Sequence, residues 1–125
     1  MIDDEAMRLA IDVAAGARAV AHPNPWVGCV LLTTSGRVVT GATHAPGGHH
    51  AEAAALEAAG PDARGSTVIV TLEPCCFEGR TPACARALID AGVRRVVVGL
   101  LDPDHRVHGQ GVAMLSDAGI EVTVG

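Results

Sequence analysis

His50-Ala51-Glu52, followed by Pro74-Cys75 and then Cys84, constrains this chain more than any other feature. One imidazole and two thiolates can hold a zinc ion and leave its fourth position to water, while a carboxylate two residues from the histidine stays free to move protons. Any fold compatible with that use must gather three distant stretches at one point. The chemistry to expect is hydrolytic, with deamination foremost.

Helix geometry sharpens the requirement. Residues two apart in a helix interior point about 200° from each other, because each step turns about 100°. His50 and Glu52 therefore converge only if they occupy a first turn whose end points at the site, which the preceding Gly47-Gly48 break permits. Thr81-Pro82 reads as a helix start, Thr capping free donors and Pro taking the first helical position, so Cys84 falls third in that helix. Cys75 follows the end of a strand. Two helix N-termini aimed at one cation would favour thiolates and a water that ionises near neutral pH. Glu52 would take the water's proton and return it to a ring nitrogen and the departing amine.

The remaining pattern is α/β. Asp3 or Asp4 can cap a first helix whose Met7, Ala10, Ile11 and Ala14 share a face and which ends before His22-Pro23-Asn24-Pro25. Trp26 to Leu32 and Val38 to Thr43 read as a hairpin across the turn Thr33 to Gly36. A helix from about His50 to Ala59, a strand Thr67 to Leu72, a helix running to Ala91 with Gly92 as its stop, and a strand Arg95 to Leu100 follow. Val112 to Ala118 falls in a fourth helix and Ile120 to Val124 in a fifth strand. Helices between the later strands imply a largely parallel, sandwiched sheet with an antiparallel start. Aromatics are only 2% against 49% apolar residues, so the core must be Val, Leu, Ile and Ala. Residues 1–125 read as a single domain, of a size that buries roughly two thirds of its unfolded surface.

The net charge of -5, the scattered positive residues and the shortage of rings for base stacking argue against nucleic acid and for a small-molecule substrate. No apolar run is long enough to span a membrane, and the acidic start Met1-Ile2-Asp3-Asp4-Glu5 is unlike a signal segment. A cytoplasmic location is expected, where four cysteines read as ligands and core residues rather than as disulfides.

His22-Pro23-Asn24-Pro25, Val27-Gly28-Cys29-Val30, His50-Ala51-Glu52, Thr71-Leu72-Glu73-Pro74-Cys75, Gly79-Arg80-Thr81-Pro82, Cys84 and Asp102-Pro103 together resemble the cytidine deaminase superfamily. Within it they resemble the riboflavin-biosynthesis deaminases that act on a diaminohydroxyphosphoribosylaminopyrimidine. The eight residues between the two cysteines, with Gly-Arg-Thr-Pro among them, mark that branch. The resemblance implies a three-layer α/β/α fold with a mixed five-stranded sheet, zinc on His50, Cys75 and Cys84, and Glu52 as proton shuttle. It also implies substrate contacts at Asn24 and His44, places Asp102 in the matching loop after the fourth strand, and suggests a homo-oligomer. The reductase domain commonly fused in bacteria is not expected within these residues. Cys75-Cys76-Phe77 and Asp104-His105 depart from the usual Cys-Ser-His and Asn-Pro, which leaves open a different or unphosphorylated amino-heterocycle.

Several residues keep two readings. Arg80 can fork onto a substrate phosphate or brace its loop on carbonyls. Glu73 can orient a ligand or a substrate amine, or serve a helix end. Cys29 reads as a core residue, Cys76 as an alternative ligand to Cys75, His49 as a loop residue or a support to the ligands, and Trp26 as a packing residue. A non-catalytic zinc module is the rival from another class. Glu52 speaks against it, because a structural site has a closed fourth position and no use for a proton carrier.

Overall fold

The computed structural model describes residues 3–21, 27–43, 50–75, 84–101 and 109–125, with only the backbone path given for 17–21. The elements are α1 (Asp3–Ala21), β1 (Gly28–Leu32), β2 (Val38–Ala42), α2 (Ala51–Ala59), β3 (Thr67–Leu72), α3 (Cys84–Ala91), β4 (Arg95–Leu100), α4 (Gln110–Asp117) and β5 (Glu121–Val124). The strands form one sheet in the order β2-β1-β3-β4-β5. Pairs β1–β2 and β1–β3 are antiparallel, whereas β3–β4 and β4–β5 are parallel. β1 therefore runs against all the others, and β2 shares the direction of β3, β4 and β5.

Side-chain alternation along the strands separates two cores. Val30, Ile69 and Val97 face α1 and pack on its buried Ala6 and Ala10. Cys29, Leu31, Val68, Val70, Val96 and Val98 face the opposite way, onto Ala51 and Ala55 of α2, Ala85 and Leu88 of α3, and Leu115 of α4. The crossovers β3-α3-β4 and β4-α4-β5 advance in the same direction across the sheet, so right-handed connection puts both helices on one face. The result is the three-layer α/β/α arrangement with a mixed five-stranded sheet, built almost without rings. Each fully buried Val or Leu contributes about 1.5–3 kcal/mol of transfer free energy to it.

Helix α1 opens with Asp3, Asp4 and Glu5, acidic groups that suit the positive end of its dipole. Its alanine stripe lets it lie close on the sheet, and at Gly28 an added Cβ would collide with the carbonyl oxygen of Ala10. The Arg95 guanidinium forks onto the Asp3 carboxylate, with Nη1–Oδ1 and Nη2–Oδ2 at 3.0 and 2.6 Å, which fixes the start of α1 to the start of β4. The hairpin closes at Thr33, whose hydroxyl accepts the Arg37 N–H at 2.9 Å, while Gly36 supplies a φ of +89°. Among the described residues no helix is long and apolar enough to cross a membrane.

Boundaries differ from the sequence reading for local reasons. The first strand begins at Gly28, because the Thr43 hydroxyl, rather than the sheet ladder, accepts the Val27 N–H at 3.0 Å. Helix α4 begins at Gln110, before Val112, and the strand after it at Glu121, because Ile120 instead donates its N–H to Leu115 at 3.1 Å. A 3-10 turn, Gly60–Ala63, follows α2 and was not foreseen. Trp26 and Thr81-Pro82 lie outside the described residues.

Candidate active site

The carboxyl ends of β3 and β4 and the N-termini of α2 and α3 meet at one edge of the sheet, the edge where open α/β sheets bind ligands. His50 is the N-cap of α2, in extended backbone conformation, and Glu52 lies in the first turn. The helix end itself, not one of its sides, thus faces the site, which resolves the 200° difficulty of an i, i+2 pair. Gly41 makes the placement possible, since a Cβ there would meet the Ala51 carbonyl oxygen and, at 2.6 Å, the Ala55 nitrogen. Cys75 follows β3 after Glu73 and Pro74. Cys84 is the first described residue of α3, and its backbone N–H donates to the Cys75 Sγ at 3.2 Å, while the Ala85 N–H donates to the Cys75 carbonyl at 3.0 Å.

The donor atoms of His50, Cys75 and Cys84 all lie within 4.8 Å of one another, and His50 Nδ1 is 3.1 Å from Cys84 Sγ. A tetrahedral zinc with bonds of about 2.0–2.3 Å needs donors about 3.5–4 Å apart, so one imidazole nitrogen and two sulfurs at this spacing fit the ion with a slight opening of the cluster. Glu52 is 5% exposed and Cys84 3%, whereas His50 is exposed, so the carboxyl lies at the floor of the site and the imidazole at its mouth.

Proton affinities in the cluster are strongly ordered. The Cys84 thiol donates to Cys75 and, against partial burial and with help from the His50 ring and the Cys84 N–H, holds Cys75 at about 4. That same hydrogen bond, then burial and the Glu52 charge, pushes Cys84 far up, so Cys75 is the thiolate and Cys84 keeps the shared proton. The hydrogen bond to Cys75 raises His50 against the effect of its burial. Burial lifts Glu52 to about 7, opposed by its own backbone N–H, reinforced by the Cys75 charge, and opposed again by His50 and a hydrogen bond from Cys84.

A family profile for the cytidine and deoxycytidylate deaminase zinc-binding region matches residues 1–100. The chain belongs to this zinc-dependent deaminase family. The riboflavin biosynthesis protein RibD of Haemophilus influenzae is 50% identical over 118 residues, covering 94% of this chain and 32% of its own length. The solved RibD of Acinetobacter baumannii superposes with a TM-score of 0.93 at 45% identity, over 98% of this chain and 35% of that one. A diaminohydroxyphosphoribosylaminopyrimidine deaminase/5-amino-6-(5-phosphoribosylamino)uracil reductase of Thermotoga maritima gives 0.91 at 40% identity, over 98% and 36%. The chain spans about a third of the length of these relatives. The deaminase fold is likewise that of the Aspergillus oryzae Rib2 deaminase, at TM-score 0.77 and 23% identity.

Four of the residues singled out from the sequence, His50, Glu52, Cys75 and Cys84, are brought together. Asn24, His44, Arg80 and Asp102 lie outside the described residues, as do His49, Cys76, Phe77 and Asp104-His105. Cys29 is fully buried in the larger core, under the floor of the site. Glu73 serves a helix end: its carboxylate accepts the N–H groups of Gly109 and Val112 at the start of α4. The close approaches at Gly41 and Gly111 escaped the sequence reading, because a glycine's backbone contacts leave no local pattern.

Proposed function

We propose that residues 1–125 act as a zinc-dependent hydrolytic deaminase of an aminopyrimidine, in the diaminohydroxyphosphoribosylaminopyrimidine step of riboflavin biosynthesis. The observation that carries this reading is a buried carboxyl, Glu52, set against a cluster that, among the described residues, offers one imidazole and two sulfurs. A closed structural site would spend its fourth position on a protein ligand and have no use for such a group. The substrate class is supported by the names of the relatives at 40–50% identity.

His50, Cys75 and Cys84 would hold the ion, Cys75 already as thiolate and Cys84 after losing its proton. Zinc in that position supplies a Lewis acid and a water acidic enough to be deprotonated near neutral pH. Glu52, buried beside the cluster, would both accept that proton and return it. It would deliver protons first to the ring nitrogen and then to the amino group as the carbon–nitrogen bond breaks. Water and the amidine become a ring carbonyl and ammonia, with no redox change. The N-terminal turns of α2 and α3 flank the cluster, and their backbone N–H groups favour negative charge at the same point.

Substrate contacts in this reading fall to Asn24, His44, Arg80 and Asp102, with Arg80 the candidate for a phosphate fork. The protein would work in the cytoplasm, where thiol ligands stay reduced, and would assemble as a homo-oligomer, for which Ile11, Val38 and Val124 are exposed apolar side chains. Phe77, in place of a usual histidine, favours a second reading in which the substrate is another amino-heterocycle without the phosphate. Ammonia release by the zinc-loaded protein across phosphorylated and free aminopyrimidines separates the two, and indifference to the phosphate overturns the first. Glu52→Gln should keep zinc and fold while lowering kcat by about 10²–10⁴-fold; unchanged turnover would refute the mechanism.

A further inference from the structure

Glu73 is buried at 3% exposure, and both its oxygens are engaged by one helix end: Oε1 accepts the Gly109 N–H at 2.9 Å and Oε2 the Val112 N–H at 3.0 Å. Helix caps ordinarily come from the residue at the helix start. This cap comes from 36 and 39 positions away, and it sits two residues before Cys75. The Glu73 N–H also donates to the carbonyl of Leu100 at 2.9 Å, so the last turn of chain before the ligand is tied to the end of β4 as well. Pro74 is fully buried, and its carbonyl oxygen lies so close to Gly111, in the first turn of α4, that any Cβ there would collide with it. On its other side the Cys75 carbonyl and sulfur take the N–H groups of Ala85 and Cys84.

We propose that Glu73 is a positioning residue for the zinc ligand Cys75, locking the segment 73–75 to the first turn of α4 so that the sulfur is held in register with Cys84 and His50. The inference rests on reading that cluster as the zinc site. Glu suits the task because a carboxylate offers an acceptor to each N–H, whereas the amide of Gln offers one oxygen and turns a competing donor toward the other N–H. Pro74 stiffens the link, since its ring fixes φ between the anchored residue and the ligand. A shift of α4 would therefore move the sulfur rather than be absorbed by a loose connection.

The test compares wild type with Glu73→Gln, Glu73→Asp and, as a control, Asp3→Asn, which breaks the Arg95 fork at the opposite edge of the sheet. For each, the zinc dissociation constant is measured by competition with a chromogenic chelator, the cobalt-substituted protein gives its sulfur-to-metal charge-transfer and d–d spectrum, and urea unfolding of the metal-free protein gives stability. Glu73→Gln should weaken zinc binding about tenfold, the lower end of what loss of a ligand's support costs, and alter the cobalt bands. Asp3→Asn should leave zinc affinity within about twofold and the spectrum unchanged, although it too lowers stability. Glu73→Asp, with the charge kept but the reach shortened, should behave like Glu73→Gln and serves if that variant does not fold. Zinc affinity and cobalt spectrum unchanged in a folded Glu73 variant, or lost equally in Asp3→Asn, would overturn the proposal and leave Glu73 a helix cap only. Wild-type protein that binds no zinc would instead overturn the metal reading itself, and this inference with it.

Discussion

Replacing Glu52 by Gln in the metal-free protein should stabilise it, and by an amount that grows with pH. Burial raises the folded-state pKa of Glu52 from 4.5 to about 7, so the folded protein resists the ionisation that the unfolded chain undergoes freely. A carboxyl raised in this way contributes its stability below about pH 4.5, and the contribution is lost as pH climbs through 7. At about 1.4 kcal/mol per pH unit, the interval corresponds to roughly 3 kcal/mol of lost stability by pH 8. The Cys75 thiolate, held at about 4, acts with the opposite sign, adding stability as pH rises, so the wild type alone can show a shallow profile. The difference between Glu52→Gln and wild type removes what the two share. Urea unfolding of both metal-free proteins from pH 4 to 8 should give nearly equal stabilities at pH 4 and an advantage of about 3 kcal/mol to the variant at pH 8. Zinc loading should shrink that advantage, because a nearby divalent cation favours the carboxylate. A pH-independent difference would refute the argument that the buried carboxyl is kept near its protonation midpoint.

Zinc uptake at pH 7.5 should release at least one proton per ion, because Cys84 holds its proton in the metal-free cluster and must give it up to ligate; calorimetry in buffers of different ionisation heat reads the number, and Cys84→Ser should bind zinc far more weakly. Gly41→Ala should cost about 2 kcal/mol or more and lower zinc affinity along with stability, because the new Cβ pushes on the Ala51 carbonyl and thus on the turn carrying His50 and Glu52; chemical unfolding and chelator competition measure both. Asp3→Asn should cost about 0.5–1 kcal/mol near neutral pH. The Arg95 guanidinium holds Asp3 below its ordinary value of 3.8, so its contribution is present above that pH and fades as pH falls through the lowered value. A wild-type advantage that persisted undiminished to pH 2 would contradict it.

What the sequence reveals and conceals follows from range. Thr67–Leu72 and Arg95–Leu100 are legible to the residue, because buried parallel strands are short runs of β-branched residues bounded by turn signals. The convergence of His50, Glu52, Cys75 and Cys84 is legible because their chemistry makes sense only if they meet. The start of α4 is not, since its cap, Glu73, comes from the end of β3 and no local spacing announces it. The glycines show the same limit: Gly28 and Gly41 look like strand-weakening residues, yet each is required by the backbone of a helix pressed against it, and Gly111 is required by the Pro74 carbonyl pressed against its own helix. The proton order within the cluster is likewise beyond the sequence, because it depends on which sulfur donates to the other and on how deeply each is buried.

The location of the chemistry follows from the direction of a single strand. β1 is antiparallel to both its neighbours, so β2, β3 and β4 all run the same way. Each of these three is followed by a helix on the same face, and each helix must therefore begin at the same edge of the sheet. Three N-termini, with three sets of N–H groups that find no partner within their own helix and three positive dipole ends, are crowded there. Two of them, on α2 and α3, are left to the cluster, where the Cys75 sulfur already takes an N–H from Cys84. The third, on α4, would compete for the same anions were it open, and it is closed by the buried carboxylate of Glu73. The same edge thus both attracts negative charge to the ligands and directs where it settles. Reversing β2 alone would carry the start of α2 to the other edge and separate His50 and Glu52 from Cys75 and Cys84.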